Sequence, residues 1–183
     1  MNKQLLVMSM ALAACLVFPS FAGAQDSGSD DAKKKFSGTY VLANSKKKER
    51  KKINKKIEKL VDKMSFYKRP FARGELKDST EPCPKLNVIF SGDDMAINCV
   101  GNVKAKSPAN GKAVKWVDSD DEEMRLSQKL EKNRMVQKFR SENGLRTNIY
   151  RLKDGGKKLV IDVKITSEQL PHPLEYQLVM RRK

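Results

Sequence analysis

The stretch Leu86-Asn87-Val88-Ile89-Phe90-Ser91-Gly92-Asp93-Asp94-Met95-Ala96-Ile97-Asn98-Cys99 decides the fold. Two alternating apolar runs, Leu86, Val88, Phe90 and Met95, Ile97, Cys99, flank Gly92-Asp93, a two-residue turn that suits a II′ geometry with glycine first. Pairing Ser91 with Asp94 sets Phe90 opposite Met95, Val88 opposite Ile97 and Leu86 opposite Cys99. Both apolar sets then share one face of an antiparallel hairpin.

The pattern continues to the end of the sequence. Period-2 segments run over Lys112–Asp118, Glu123–Glu131, Arg134–Ser141, Leu145–Lys153, Lys157–Thr166 and Leu174–Arg182, separated by Asn110-Gly111, Asp120-Asp121, Lys132-Asn133, Asn143-Gly144 and Asp154-Gly155-Gly156. Short, evenly spaced strands with tight turns form sequential hairpins. The clearest strand sets Leu159, Ile161, Val163 and Ile165 against Val160, Asp162, Lys164 and Thr166. Phe36-Ser37-Gly38-Thr39-Tyr40-Val41-Leu42 adds a first strand, so the pattern counts nine. A meander with one apolar face per strand must bury that face and hide its edges, and a closed or nearly closed barrel does both, with an open sandwich as the alternative.

A helix interrupts the strands. Asn44 or Ser45 caps it, Ile53, Ile57, Leu60, Val61 and Met64 make one apolar stripe at helical period, and Pro70 ends it, giving an insertion at about 45–69. The expected fold is therefore mainly β, an antiparallel up-and-down barrel with a basic amphipathic helix between its first and second strands. The charge belongs to that helix. Of 38 Lys+Arg and 22 Asp+Glu in 183 residues, net +16, residues 33–77 hold 17 basic and four acidic side chains, or +13. Lys47, Lys48, Lys51, Lys52, Lys55, Lys56 and Lys59 form a face for an anionic surface, for which a membrane supplies on the order of 1 kcal/mol per basic residue.

Met1–Ala24 reads as an export signal: Lys3, an apolar stretch from Leu5 to Phe18, and the small-residue site Ala22-Gly23-Ala24. The expected organisation is a signal peptide at 1–24, a flexible segment at 25–35 and a barrel domain at 36–183. The expected compartment is periplasmic or extracellular. Leu12-Ala13-Ala14-Cys15 resembles a lipobox, the less favoured route to an outer-membrane lipoprotein through Cys15. Export makes nucleic acid a scarce partner and leaves Cys83 and Cys99 as an even pair in a disulfide-permissive compartment. In the hairpin register Cys83 lies three residues beyond the partner of Cys99, roughly 10 Å along a strand. A bridge needs Cα atoms within about 7 Å, so either Pro82 and Pro84 bend the chain back or two free buried thiols remain.

The order of elements resembles the fatty-acid-binding proteins of the calycin group, whose first strand carries Phe-x-Gly-x-Trp-x-Leu, matched here by Phe36, Gly38, Tyr40 and Leu42. That resemblance implies about ten strands, a helical lid and an internal cavity for a lipid or other apolar ligand. The lipocalins are a second relative within that superfamily. Phe36, Val88, Ile97, Trp116, Phe139, Ile161 and Tyr176 are the candidate lining residues. The family's Arg-x-Tyr pair on the last strand is not carried over, because Leu178 and Met180 occupy that face. The single histidine, His172, lies in the turn Pro171-His172-Pro173, and no acid/base pair or nucleophile relay stands out. The expectation is thus a monomeric, exported, lipocalin-like binding protein for a small hydrophobic or amphipathic ligand, with the basic helix as lid and membrane contact. It is not expected to be an enzyme, and no cofactor or metal is expected. The alternative is a ligand-free barrel that serves as an interaction module for an acidic protein or envelope polymer.

Overall fold

A computed structural model describes residues 27–101, 104–118 and 121–183. The export-signal reading of Met1–Ala24, and Cys15 with it, lies outside them. Helix α1 spans Ser27–Phe36, β1 Gly38–Leu42, α2 Lys46–Val61 and α3 Arg69–Ser79. Nine strands follow: β2 Lys85–Ser91, β3 Asp94–Cys99, β4 Lys104–Pro108, β5 Val114–Val117, β6 Glu123–Glu131, β7 Arg134–Arg140, β8 Leu145–Lys153, β9 Lys158–Thr166 and β10 Leu174–Arg182. They form one antiparallel sheet ordered β4-β3-β2-β1-β10-β9-β8-β7-β6-β5. This is a meander rolled so that its first and last strands pair, with β1 bonded to both β2 and β10.

The decisive hairpin has the expected register: Leu86 pairs with Cys99, Val88 with Ile97, Phe90 with Met95 and Ser91 with Asp94. The sheet closes past its short last edge. Beyond β4 the chain crosses to β6, where the Leu130 amide donates to Ala109 O and the Gly111 amide to Gln128 O, both at 2.8 Å. Trp116 on β5 adds a bond from its Nε1 to Lys104 O at 2.9 Å. Both sheet edges are thereby covered, as an antiparallel sheet of this length requires.

Four features depart from the sequence reading. The strand count is ten, because β4 carries only Ala105 and Ser107 inward, with Lys104 and Lys106 outward and Pro108 at its end. Small inward residues give no apolar alternation to detect, and such a sequence suits an edge strand. The 25–35 segment is helical from Ser27 rather than flexible. Its apolar side is just Ala32 and Phe36, one turn apart and both buried, and Asp30 early with Lys33–Lys35 late favour the helix dipole. Phe36 accordingly ends α1 instead of opening β1. The insertion is two helices that extend to Ser79, since Pro70 starts α3, where its missing N–H costs nothing. Arg69 links the pair, donating from Nε to Met64 O at 2.9 Å and from Nη2 to Asp62 O at 2.8 Å.

Ser45 is the cap of α2, its side chain accepting from the Lys48 amide. The stripe Ile53, Ile57, Leu60 and Val61 is buried in the same cluster as Tyr40, Leu86, Met95, Leu159, Tyr176 and Met180. The two ends of the barrel are closed by different helices. The α2–α3 pair sits at the end where β10 begins, Lys56 Nζ reaching Glu175 O at 2.7 Å and Arg146 Nη1 reaching Ser79 O at 2.6 Å. Helix α1 closes the opposite end, where Lys33 Nζ meets the β2–β3 turn at Gly92 O and Arg182 Nη1 meets Ser37 O.

Cys83 and Cys99 are bonded, with Cα atoms 5.7 Å apart. The chain bends at Pro84 before β2 and brings Cys83 back over the end of β3, so the short distance coexists with the Leu86–Cys99 register. The bond closes a loop between residues 16 apart and ties the end of the cap to the barrel wall. Replacing both cysteines by serine is expected to lower unfolding free energy by about 3 kcal/mol in urea titrations, the loop-closure entropy for such a separation. An unchanged midpoint would show that the tie contributes nothing.

Candidate functional site: the barrel interior and its caps

Five of the seven candidate lining residues meet in one place. Phe36, Val88, Ile97, Ile161 and Tyr176 belong to the single buried cluster that fills the barrel. Trp116 and Phe139 lie outside it. They pack edge to face at 4.9 Å between ring centroids, half-buried near the β5 edge where the sheet closes.

The interior is lined by buried side chains. Tyr40, Met95, Met135, Leu159 and Met180 are wholly inaccessible, while Leu76, Leu86, Ile161, Tyr176 and Leu178 keep 5–6% exposure. None of the seven residues lines either of two open depressions on the surface.

A polar chain crosses this interior, and the sequence reading missed it. Gln128 on β6 donates from Nε2 to Met95 O at 2.7 Å and to Ser107 Oγ at 3.1 Å. Its Oε1 accepts from Gln137 Nε2 at 3.0 Å. Gln137 Oε1 accepts from Asn148 Nδ2 at 2.9 Å and from the Tyr150 hydroxyl at 2.6 Å. Arg146 Nε then donates to Asn148 Oδ1 at 3.1 Å while its Nη1 holds Ser79 O of α3. Ser107, Gln128, Gln137 and Asn148 are all buried. The strand register placed them together: Gln128 pairs with Gln137, and Gln137 with Asn148. The signal was a polar residue at an inward position of three consecutive strands, between Leu126 and Leu130, Met135 and Phe139, Arg146 and Tyr150. Burial pushes the Tyr150 phenol up to about 12, so it stays a proton donor throughout the physiological range.

The cap presents a different chemistry outward. Lys47, Lys48, Lys51, Lys52, Lys55, Lys56 and Lys59 are all exposed on α2, as the buried stripe dictates. Lys52 pairs with Glu49 and Lys56 bonds Glu175 O, while the other five ammonium groups have no ion pair or hydrogen bond among the described residues. At the joint between α2 and α3 three aromatic side chains stand in water: Phe66 at 81%, Tyr67 at 66% and Phe71 at 69% exposure. The bases of the helices are fastened by contrast. Lys46 and Arg50 grip Glu81 at 2.6 and 2.7 Å, and Arg50 Nη2 donates to Lys77 O at 2.7 Å. Between the helices, Arg73 bonds Glu58 at 2.9 Å and holds its carboxyl below the usual range.

A ten-stranded antiparallel barrel with two helices between its first two strands is the fatty-acid-binding-protein type of the calycin fold. Solved structures agree. Lipid binding protein 8 of Caenorhabditis elegans superposes with a TM-score of 0.54 at 13% identity, over 82% of this chain and 96% of that one. The fluorescent protein UnaG superposes at 0.51 with 19% identity, over 82% and 98%. At these identities the likeness is one of fold. No protein-family model matches the chain, and no curated protein matches it in sequence.

Gln137→Leu is expected to cost at least ~2 kcal/mol in urea unfolding, because it leaves Gln128 Oε1 and the Tyr150 hydroxyl proton without a partner in an apolar interior and Asn148 Nδ2 with only a 3.4 Å contact to the Tyr150 oxygen. A loss no larger than that of an exposed Gln177→Leu control would mean the chain bears no load. Alkaline titration gives a second check. Tyr150 is raised from 10.0 to about 12, so the fold favours its neutral form. That contribution is complete below pH 10 and is lost as pH rises toward 12, and the phenolate absorbance of Tyr150 should vanish from the high-pH end of the titration in Tyr150→Phe.

Proposed function

We propose that this chain is an exported binding protein, its residues 1–24 removed as a signal peptide, that holds a small amphipathic or apolar molecule such as a lipid inside its barrel. It acts in the periplasm or outside the cell as a monomer, and binding rather than catalysis is its activity. The observation that carries this reading is the cap: a two-helix lid that shuts one end of a lipid-binding type of barrel with an apolar stripe and turns a basic, aromatic-tipped face outward. The similarity in fold to a lipid binding protein supports it.

Ligand entry requires the lid to lift, because the α2 stripe is buried across that end of the barrel. The fastened bases and the exposed joint give that motion a direction, with the joint at Phe66–Phe71 swinging away while the helix bases stay on the wall. A ligand with one polar group fits better than a pure hydrocarbon. Its polar group can exchange hydrogen bonds with the chain from Ser107 to Arg146, whereas a hydrocarbon that opened this chain would leave buried groups unpaired. The lysine face and the three aromatics meet an anionic membrane, the cations at headgroup depth and the rings at the interface.

A second reading has one observation of its own. The large buried cluster of side chains within the barrel favours a ligand-free barrel whose basic face binds an acidic protein or an envelope polymer. Mass spectrometry of solvent extracts of the purified protein, with displacement of a dansyl-labelled fatty acid, separates the two. Bound lipid and saturable displacement support the carrier, and an empty protein that ignores the probe establishes the packed module. Binding to vesicles of phosphatidylglycerol is expected to fall roughly tenfold or more in Phe66→Ser/Phe71→Ser and in Lys51→Glu/Lys55→Glu. Ligand content should be unchanged in both, and vesicle binding indifferent to both pairs would rule out the cap as the membrane face.

A further inference from the structure

The end of the barrel opposite the lid carries a bowl of its own. Lys34 and Lys35 of α1, Leu152, Gly155, Gly156 and Lys157 of the β8–β9 turn, and Arg182 and Lys183 at the end of β10 line an open depression of about 730 Å³. Five of these eight residues carry cationic side chains and none carries an acidic one. Basic residues on a surface ordinarily alternate with acids or spread apart, because like charges held together repel.

The five cations divide into one fixed and four free. Arg182 spends four of its five N–H donors on Gly156 O at 3.0 Å, Ser37 O at 2.6 Å, Lys35 O and the Tyr40 hydroxyl at 2.6 Å, and its guanidinium lies over the Tyr40 ring. All these partners are neutral, so its charge stays in the floor of the bowl without a carboxylate against it. The ammonium groups of Lys34, Lys35, Lys157 and Lys183 have no ion pair or hydrogen bond among the described residues. Asp154, at the start of the same turn, is held by Lys158 at 2.7 Å. Gly155 and Gly156 have positive φ, and a Cβ built on either meets no atom within 4 Å, so the side of the bowl formed by the β8–β9 turn is open.

We propose that this bowl is a binding site for an anion bearing several phosphate charges, with Lys34, Lys35, Lys157 and Lys183 as its direct partners and Arg182 as the fixed charge beneath. Ammonium groups on long flexible stems act as point charges that adapt to phosphate oxygens, while the guanidinium, with four of its five donors taken, supplies chiefly field. One phosphate would leave most of the charge unmatched, whereas a triphosphate or a bisphosphorylated headgroup balances it. The site is distinct from the lid and does not depend on what the barrel holds.

Isothermal titration with sodium tripolyphosphate at low and at physiological salt tests it. Saturable one-to-one binding that weakens with salt is expected, as for partly exposed charges. Lys35→Glu/Lys157→Glu should lower affinity roughly tenfold or more, while Lys51→Glu/Lys55→Glu on the opposite cap leaves it unchanged. Sedimentation with phosphatidylcholine vesicles containing a phosphatidylinositol bisphosphate then separates the sources of phosphate. Loss of vesicle binding in the bowl variant assigns a lipid headgroup, and loss of tripolyphosphate binding alone assigns a soluble anion. No saturable titration, or an equal loss in the two variants, overturns the proposal.

Discussion

Enclosed volume governs this molecule. About eight strands make a barrel whose own side chains just fill it, and a tenth strand makes room that strand residues alone leave empty. Here α2 supplies part of the filling. Ile53, Ile57, Leu60 and Val61 enter the same buried cluster as Tyr40, Leu86 and Met180. At roughly 1.5–3 kcal/mol for each fully buried side chain, the stripe is a substantial part of what stabilises the domain. It also fixes the electrostatics: once those positions face inward, the helical period turns Lys47, Lys48, Lys51, Lys55 and Lys59 to water. The basic face is a consequence of the core as much as a recognition device.

The polar chain answers the same problem of volume by other means. Gln128, Gln137 and Asn148 occupy positions where leucine would pack as well, and each must be fully bonded to be tolerated. Bonded as they are, they tie β6, β7 and β8 to the Met95 carbonyl on one side and, through Arg146, to α3 on the other. The interior network and the cap are thus one hydrogen-bonded system, joined at Arg146.

Sequence alone carried the architecture a long way. The Leu86–Cys99 register, the β9–β10 pair and the stripe on α2 were legible because large apolar residues recur at a period set by the backbone. What escaped had no such period. Strand β4 turns only Ala105 and Ser107 inward, α1 has just Ala32 and Phe36 on its apolar side, and Pro70 reads equally as the end of one helix or the first turn of another. The site was less legible than the fold. Val88, Ile97, Ile161 and Tyr176 follow from alternation, but Trp116 and Phe139 share the alternation and still lie at the closing edge, because where a sheet rolls shut is decided by pairs such as Ala109 with Leu130. The hydrogen-bonded chain needed the register of three strands at once, since a single inward glutamine is indistinguishable from a strand irregularity.

Charge placement separates the two ends of the barrel more sharply than net charge does. Both ends are basic, yet their surroundings differ. At the α2–α3 joint the cations stand beside three solvated aromatic rings, a combination that gains free energy where an anionic surface adjoins an apolar phase. At the α1 end the cations ring an open bowl that includes a guanidinium with four of its five donors taken, and no large exposed apolar side chain lines it. That end gains from charge alone and is correspondingly sensitive to salt. A net charge of +16 is therefore unevenly spread, with basic side chains gathered at both poles of the barrel in unlike surroundings.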